Sequence, residues 1–257
     1  EVLSYRWGVA SIVLIVFGWL SGCNFRLAGK DWGVVFLLSL LRAVTSFSLI
    51  IAYQNIASGV ASTIHFMYPL AVALAMMFFF REKKSLLVIL AVLMSLLGAA
   101  LLSLGELEAK SGNTMVGLVA ACVSVFSYAG YIVGVRTTRA VQINSTALTC
   151  YVMGLGTIFY LIGAYCTSGL QLVSDGYTWL IILGLALPAT AISNITLVQA
   201  IKYAGPTLTS ILGAMEPLTA VVIGVFVFKE LFTVNSAVGI ILILLAVSIV
   251  VFRRQKS

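Results

Sequence analysis

The chain has 257 residues, of which 61% are hydrophobic and 9% charged, with a net charge of +7. A soluble domain carries about 25% charged residues, so this composition cannot cover a water-facing surface and excludes a soluble globular domain. Lipid is the solvent that suits it, and the positive charge reads as membrane topology, with no nucleic-acid partner implied.

The apolar runs are continuous and close to the length of about 20 residues that a helix needs to cross a bilayer. A transmembrane β-barrel would instead show alternating segments of about ten residues. Nine spans are predicted: Tyr5–Ser21, Asp31–Ile56, Gly59–Phe80, Ser85–Leu104, Met115–Val135, Asn144–Cys166, Tyr177–Tyr203, Thr207–Phe228 and Asn235–Phe252. The first is not read as a signal peptide, because no small-residue cleavage site is followed by a soluble body. Trp7, Trp19, Trp32 and Trp179 lie near span ends, where tryptophans anchor to the interface. Gly18/Gly22 and Gly130/Gly134 have the spacing that lets helices approach closely. Cys23, Cys122, Cys150 and Cys166 show no metal or redox spacing and read as small apolar helix residues.

Alternating spans with the C-terminus inside put 11 basic residues in the cytoplasm: Arg26, Lys30, Arg81, Lys83, Lys84, Arg136, Arg139, Lys202, Arg253, Arg254 and Lys256. Arg6, Lys110 and Lys229 fall outside, and Arg42 lies within a span. The loop with Glu106 and Glu108 then faces outward. This asymmetry predicts a multi-pass protein of the inner or plasma membrane with a cytoplasmic C-terminus.

Two stretches match at an offset of 148 residues: Met67-Tyr68-Pro69-Leu70 followed by Phe78-Phe79-Phe80-Arg81-Glu82, and Met215-Glu216-Pro217-Leu218 followed by Phe226-Val227-Phe228-Lys229-Glu230. Ser62 and Ser210, and Ala52 and Ala200, fall in the same register. The offset divides the chain into repeats at residues 1–104 and 115–252, with four spans in the first and five in the second. One further N-terminal helix is therefore expected beyond this sequence. The fold expected is an all-α integral membrane bundle of ten helices in a 5+5 inverted repeat, nine of them in this chain. Five is odd, so consecutive five-helix units insert with opposite orientation, a common transporter architecture with its site near the midplane.

These residues resemble the drug/metabolite transporter superfamily, EamA type. The resemblance rests on the paired segments Pro69 to Glu82 and Pro217 to Glu230, and it covers nearly the whole chain. It implies two inverted five-helix units and the export of amino acids, drugs or other metabolites. Related branches carry nucleotide sugars or sugar phosphates. Arg81 and Lys229 stand where such sequences more often have a small residue. The resemblance also implies that a Glu at the position of Glu216 serves a mechanical or coupling role shared across substrates.

Polar groups inside a bilayer are costly, so each needs a reason. Glu216 lies near the middle of its span and is expected to bind a cationic or amine group or to carry a coupling proton, burial raising its pKa. Pro217 and Pro69 donate no backbone hydrogen bond and are expected to kink their helices, freeing the carbonyls of Gly213 and His65. Arg42, at similar depth, reads either as a ligand for a carboxylate or phosphate or as an ion-pair partner of Glu216. His65 is a candidate proton relay, or a donor to a helix carbonyl.

Helical spacing adds three stripes: Ser124, Ser127, Tyr128 and Tyr131; Thr190, Ser193 and Asn194; and Arg42, Thr45, Ser46 and Tyr53. Tyr68, Tyr128, Tyr131 and Asn194 join the candidate substrate-binding or coupling residues. The competing reading of each stripe is helix–helix packing. Glu82 and Glu230, at span ends, read as interfacial caps or ion-pair partners.

No metal set, no nucleophile with its base and no cofactor motif is present, so the chain is not expected to be an enzyme. No P-loop indicates ATP as energy source. The expected function is a secondary transporter, an exporter of small organic metabolites with protons as a coupling partner. A channel, a non-transporting sensor and a membrane-embedded enzyme are the alternatives. Oligomeric state, substrate and direction stay open.

Overall fold

The computed structural model describes residues 2–81, 86–103, 112–167, 175–213, 215–227 and 233–254. Glu82, Lys83, Lys84, Glu106, Glu108, Lys110, Lys229, Glu230 and Lys256 lie outside them, as does the side chain of Cys166. Every described regular element is helical, so the chain is an all-helical membrane protein. Each of the nine predicted spans is mainly helical over its described residues.

In chain order the helices are α1 (Val2–Leu20), α2 (Trp32–Asn55), α3 (Ser58–His65), α4 (Tyr68–Phe79), α5 (Leu86–Ser103), α6 (Thr114–Thr137), α7 (Ser145–Thr167), α8 (Gly176–Ala186), α9 (Ser193–Ala204), α10 (Pro206–Leu212), α11 (Met215–Val227) and α12 (Val234–Arg254). The span stretches Gly29–Asn55, Ser58–Phe79, Thr114–Thr137, Ser145–Tyr165 and Gly176–Ala204 are each long and apolar enough to cross a bilayer. Large apolar side chains stand exposed along the helices, Phe79, Leu86 and Phe126 among them. That is the expected surface where the solvent is hydrocarbon.

Two predicted spans are each split in two. The third gives α3 and α4, with Pro69 in the first turn of α4. The eighth gives α10 and α11, with Pro217 just after the break. A proline is well tolerated in the first turn of a helix, where its missing N–H has no partner to lose. The Gly213 carbonyl is not left free, as the sequence reading expected: it accepts from the Glu216 amide at 3.0 Å. A tightened i→i+3 bond of this kind satisfies a carbonyl at a helix end. A third interruption is milder. A wide π-type turn at Leu187–Ile192, containing Pro188, joins α8 to α9.

The helices group into two compact units. Unit 1 comprises residues 1–43 and 134–204, and unit 2 comprises residues 44–133 and 205–257. The division falls inside α2 and inside α6.

In unit 1, α1 runs along α7 and also touches α8 and the π turn. Lipid tails are as apolar as leucine, so close packing rather than water exclusion drives this association, and small residues favour it. The Trp7 ring lies against Gly156, Thr157 against Gly8, and the Ser11 hydroxyl against Gly154. These glycines carry the contact. Of those singled out from sequence, Gly134 does face Leu38, while Gly22 closes the turn after α1 with φ 65°. Trp7 is a correction: it is 2% exposed, not an interfacial anchor. Asp31 pairs with Arg139 at 2.8 Å. The Arg136 guanidinium donates to the Lys202 carbonyl at 2.6 Å, and the Lys202 ammonium donates to the Ile143 carbonyl.

Asp175 caps α8, accepting from the amides of Tyr177 at 3.2 Å and Thr178 at 3.0 Å and from the Thr178 hydroxyl at 2.9 Å. Those bonds, the Thr178 hydroxyl first, hold its carboxyl below the usual carboxylate pKa. The capping contribution is therefore complete above the unfolded value of about 3.9. It disappears as pH falls through the lower folded value.

In unit 2, α5 lies along α12, with Gly98 against the Gly239 carbonyl and Ile243. Ala73, Ala91, Val92, Ile211 and Ala246 form one buried cluster, and Ala52, Ile56, Ala61, Ala120 and Ala121 another. α4 ends at Phe79, and, two residues on, the φ of Arg81, 55°, is left-handed, a conformation that glycine adopts at less cost.

Candidate functional site

The candidate residues gather into one cluster in each unit. In unit 1 the π turn is the organising feature, and such turns recur at functional sites. Widening the turn lets the Thr190 hydroxyl donate back five residues to the Leu185 carbonyl at 3.0 Å. The Asn194 amide donates to the Thr190 carbonyl at 2.7 Å, which fixes its oxygen as the free acceptor. Arg42 Nη2 donates to that oxygen at 3.3 Å. The Arg42 guanidinium carbon also lies 5.8 Å from the centre of the Trp7 ring, within cation–π range. Trp7 in turn meets Tyr160 edge to face at 5.0 Å. Thr190 and Asn194 are buried, whereas Ser193 is exposed.

The unit 2 cluster forms where α3 gives way to α4. His65 Nδ1 and Ser124 Oγ are 2.9 Å apart. Ser124 Oγ also donates to the Ala121 carbonyl at 2.6 Å. With its one proton committed there, Ser124 must accept from His65, so Nδ1 carries the hydrogen and Nε2 is the basic nitrogen of the neutral ring. The imidazole stacks on Tyr128 at 5.5 Å and tilts against Tyr68 at 5.6 Å. Tyr68 and Tyr128 meet edge to face at 4.6 Å, and Tyr131 stacks on Tyr128 at 6.4 Å. Tyr68 and Tyr131 are almost fully buried. Thr45 donates to Ser127 at 3.0 Å and Tyr53 meets Ser62 at 3.1 Å, bonds that tie helices together.

The two breaks of unit 2 touch. The Tyr68 hydroxyl, in the first turn of α4, sits where a side chain on Gly213, between α10 and α11, would begin. Gly213→Ala is therefore expected to cost about 1–2 kcal/mol through overpacking. The penalty should shrink when Tyr68→Phe removes the blocking oxygen. Thermal midpoints of the four proteins measure the coupling; equal penalties in both backgrounds would show that the hydroxyl is not the obstacle.

Glu216 lies in the first turn of α11, where the helix dipole favours a carboxylate. Its side chain is exposed, so the burial expected from sequence is not what unit 2 provides. Pro69 and Pro217 are buried beside their breaks. Sequence reasoning missed Arg6, Trp7, Tyr160 and Pro188. The one available signal was Pro188 in the middle of an apolar span beside two hydroxyl residues, Thr190 and Ser193. An aromatic-walled cleft of about 470 Å³ in unit 1, lined by Ser11, Phe25, Trp32, Cys150, Tyr151 and Gly154 among others, contains none of the candidates. Among the described residues no cluster of His, Cys, Asp or Glu could hold a metal ion.

The comparisons with known proteins agree with this architecture. An uncharacterized transporter of Archaeoglobus fulgidus is 28% identical over 238 residues, covering 91% of this chain and 83% of its own length. A protein of known crystal structure, 18% identical, shares the fold with a TM-score of 0.83, over 100% of this chain and 88% of its own. The EamA-like transporter family matches residues 1–104 and 115–252. With helices throughout, apolar spans and a family match over nearly its whole length, this chain is a membrane transporter of the EamA-like family.

Proposed function

We propose that this transporter is a secondary carrier that exports small organic metabolites, amino acids or similar compounds, by alternating access, and that a proton gradient drives it. The observation that carries the reading is the pair of broken spans 148 residues apart, in contact through Tyr68 and Gly213. Paired discontinuous helices in corresponding positions are where carriers bind substrate and ions, one repeat rocking against the other. The repeats in this reading are residues 1–104 and 115–252, inverted relative to each other. The His65–tyrosine cluster supports a coupled mechanism, because an imidazole is the side chain whose ordinary pKa lies nearest neutral pH. The basic-residue asymmetry supports a cytoplasmic C-terminus in the inner or plasma membrane.

Proteoliposome flux tests the function. Vesicles are loaded in turn with amino acids, amines, purines and nucleosides, organic acids and sugar phosphates. The expected result is saturable efflux of at least one class, accelerated by the same solute on the opposite side and by an inward proton gradient. Linear flux without counterflow would mean a channel. Absence of flux for every class would overturn the carrier reading.

A further inference from the structure

We propose that the cleft between α1 and α7 is a binding site for an anionic phospholipid, with one acyl chain lying in the cleft and the phosphate headgroup resting on Arg26 and Lys30. The inference is drawn within unit 1 and does not depend on which solute is carried.

The walls of the cleft, about 470 Å³ in volume, come from four pieces of chain. α1 supplies Ser11 and Ile15, the segment between α1 and α2 supplies Phe25, α2 opens with Trp32, and α7 supplies Tyr151 and Ile158. The Phe25 ring lies where a side chain on Gly18 would begin, and the Tyr151 hydroxyl donates to the Phe25 carbonyl at 2.6 Å. Tyr151 also meets Phe25 edge to face at 6.4 Å and Trp32 at 5.5 Å. These contacts hold the segment back against the helix pair and set an aromatic collar at the mouth.

The interior suits an apolar occupant. The Ser11 hydroxyl donates to the Cys150 carbonyl at 3.4 Å and the Tyr151 hydroxyl to Phe25, so the hydroxyl groups of the lining are already satisfied. Ile15 and Ile158 are exposed, which leaves the cleft open to hydrocarbon. Its depth suits one leaflet. Ser11 and Gly154 meet nine residues from the end of α1 at Leu20 and nine from the start of α7 at Ser145. At about 1.5 Å per residue this is about 14 Å, close to half of a hydrocarbon core about 30 Å thick.

The charge at the mouth selects the head. The described charged residues of unit 1 at this end are Arg26, Lys30, Asp31, Arg136, Arg139 and Lys202. Asp31, the one acid among them, pairs with Arg139 at 2.8 Å. Arg136 and Lys202 donate to main-chain carbonyls. Arg26 directly follows Phe25, Lys30 stands two residues before Trp32, and both are exposed. Neither has a carboxylate partner among the described residues. Basic side chains at the end of a span attract anionic headgroups, each by a factor of about five. An apolar cleft one leaflet deep with two cations beside its mouth therefore matches an amphiphile of the bilayer itself: hydrocarbon below, phosphate above.

The test uses the full chain in a neutral detergent freed of phospholipid, with thermal stability as readout. Dioleoyl phosphatidylglycerol and dioleoyl phosphatidylcholine are the probes; their acyl chains are identical and their net charge differs. The expected result is a saturable rise in melting temperature, half complete with phosphatidylglycerol at a concentration about tenfold or more below that needed with phosphatidylcholine. The double variant Arg26→Gln/Lys30→Gln should lose that preference. Ile15→Trp fills the cleft and leaves both cations in place; it should raise the half-saturating concentration of phosphatidylglycerol about tenfold, the effect of losing the burial of a few methylenes. All three side chains are exposed, so lipid-free melting should match the wild type, which separates lost binding from lost folding. Should Ile15→Trp melt early, Ile158→Trp fills the cleft from α7 instead. Equal half-saturation by the two lipids, a preference unchanged in Arg26→Gln/Lys30→Gln, or an unchanged phosphatidylglycerol response in the filled variant would overturn the proposal. So would a melting temperature that rises with protein concentration and not with lipid, the result expected if a second copy of the chain fills the cleft.

Discussion

Gly156→Leu is expected to destabilise the protein by about 1–3 kcal/mol or more, the range for inserting carbons into a packed core. The first added carbon at Gly156 falls on the six-membered ring of Trp7. That ring has nowhere to go: it is 2% exposed, with the edge of Tyr160 on one side and Arg42 above it. The helices must separate, and α1 then loses its contact along α7. At about 2–4 °C per kcal/mol for a chain of this size, the loss is measurable as a melting shift in detergent. Gly184→Leu is the control, because a side chain there meets no neighbouring atom, and leucine is a better helix former than glycine by close to 1 kcal/mol. A Gly156→Leu protein that melts with the wild type would mean that the α1–α7 contact does not depend on the close approach.

The same contact shows where the sequence was legible and where it was not. The helices were legible because hydrocarbon imposes one solution on a long apolar run, whatever it packs against. Ser145–Thr167 and Thr114–Thr137 differ from the predicted spans by a few residues at most. Trp7 was misread for a physical reason. Near a span end, tryptophan ordinarily reaches the interface, and distance along the chain is the only coordinate a sequence offers. What decides its place is Gly156, more than 140 residues away, which lets α1 approach α7 closely enough to enclose the indole. The π turn was invisible for another reason. One extra residue in a helical turn leaves hydropathy unchanged, yet it rotates Thr190 and Asn194 into the register where Asn194 meets Arg42. Exposure of Glu216 could not be read either, because a residue at a helix break faces a direction set by the break and not by a 3.6-residue period.

Glu216→Gln is expected to reduce flux driven by a pH gradient by about 100-fold, while exchange at equal pH persists. Glutamine keeps the shape and hydrogen-bonding reach of the side chain and removes its ability to take up and release a proton. Two unequal forces act on the carboxylate at this position. Lipid disfavours a carboxylate at the middle of a span by about 2.5–3.5 kcal/mol on insertion scales. The first turn of α11, with the Glu216 amide tied to the Gly213 carbonyl, favours it by about 0.3–1 kcal/mol. The larger force acts only while lipid surrounds the group and disappears when water reaches it, so the protonation of Glu216 is expected to follow access to water, as coupling requires. Parallel measurements on His65→Gln discriminate between carriers of the proton. His65 has an anchored ring, with Nδ1 2.9 Å from the Ser124 hydroxyl, and is the other titratable side chain beside a helix break, so it is the rival acceptor. Loss of gradient-driven flux in Glu216→Gln with retention in His65→Gln would assign the proton to the carboxylate and leave His65 with the aromatic cluster. The reverse pattern would move the coupling role to His65. Full gradient-driven flux in both variants would remove proton coupling from these two residues, and with it the reason to expect a carboxylate at that break.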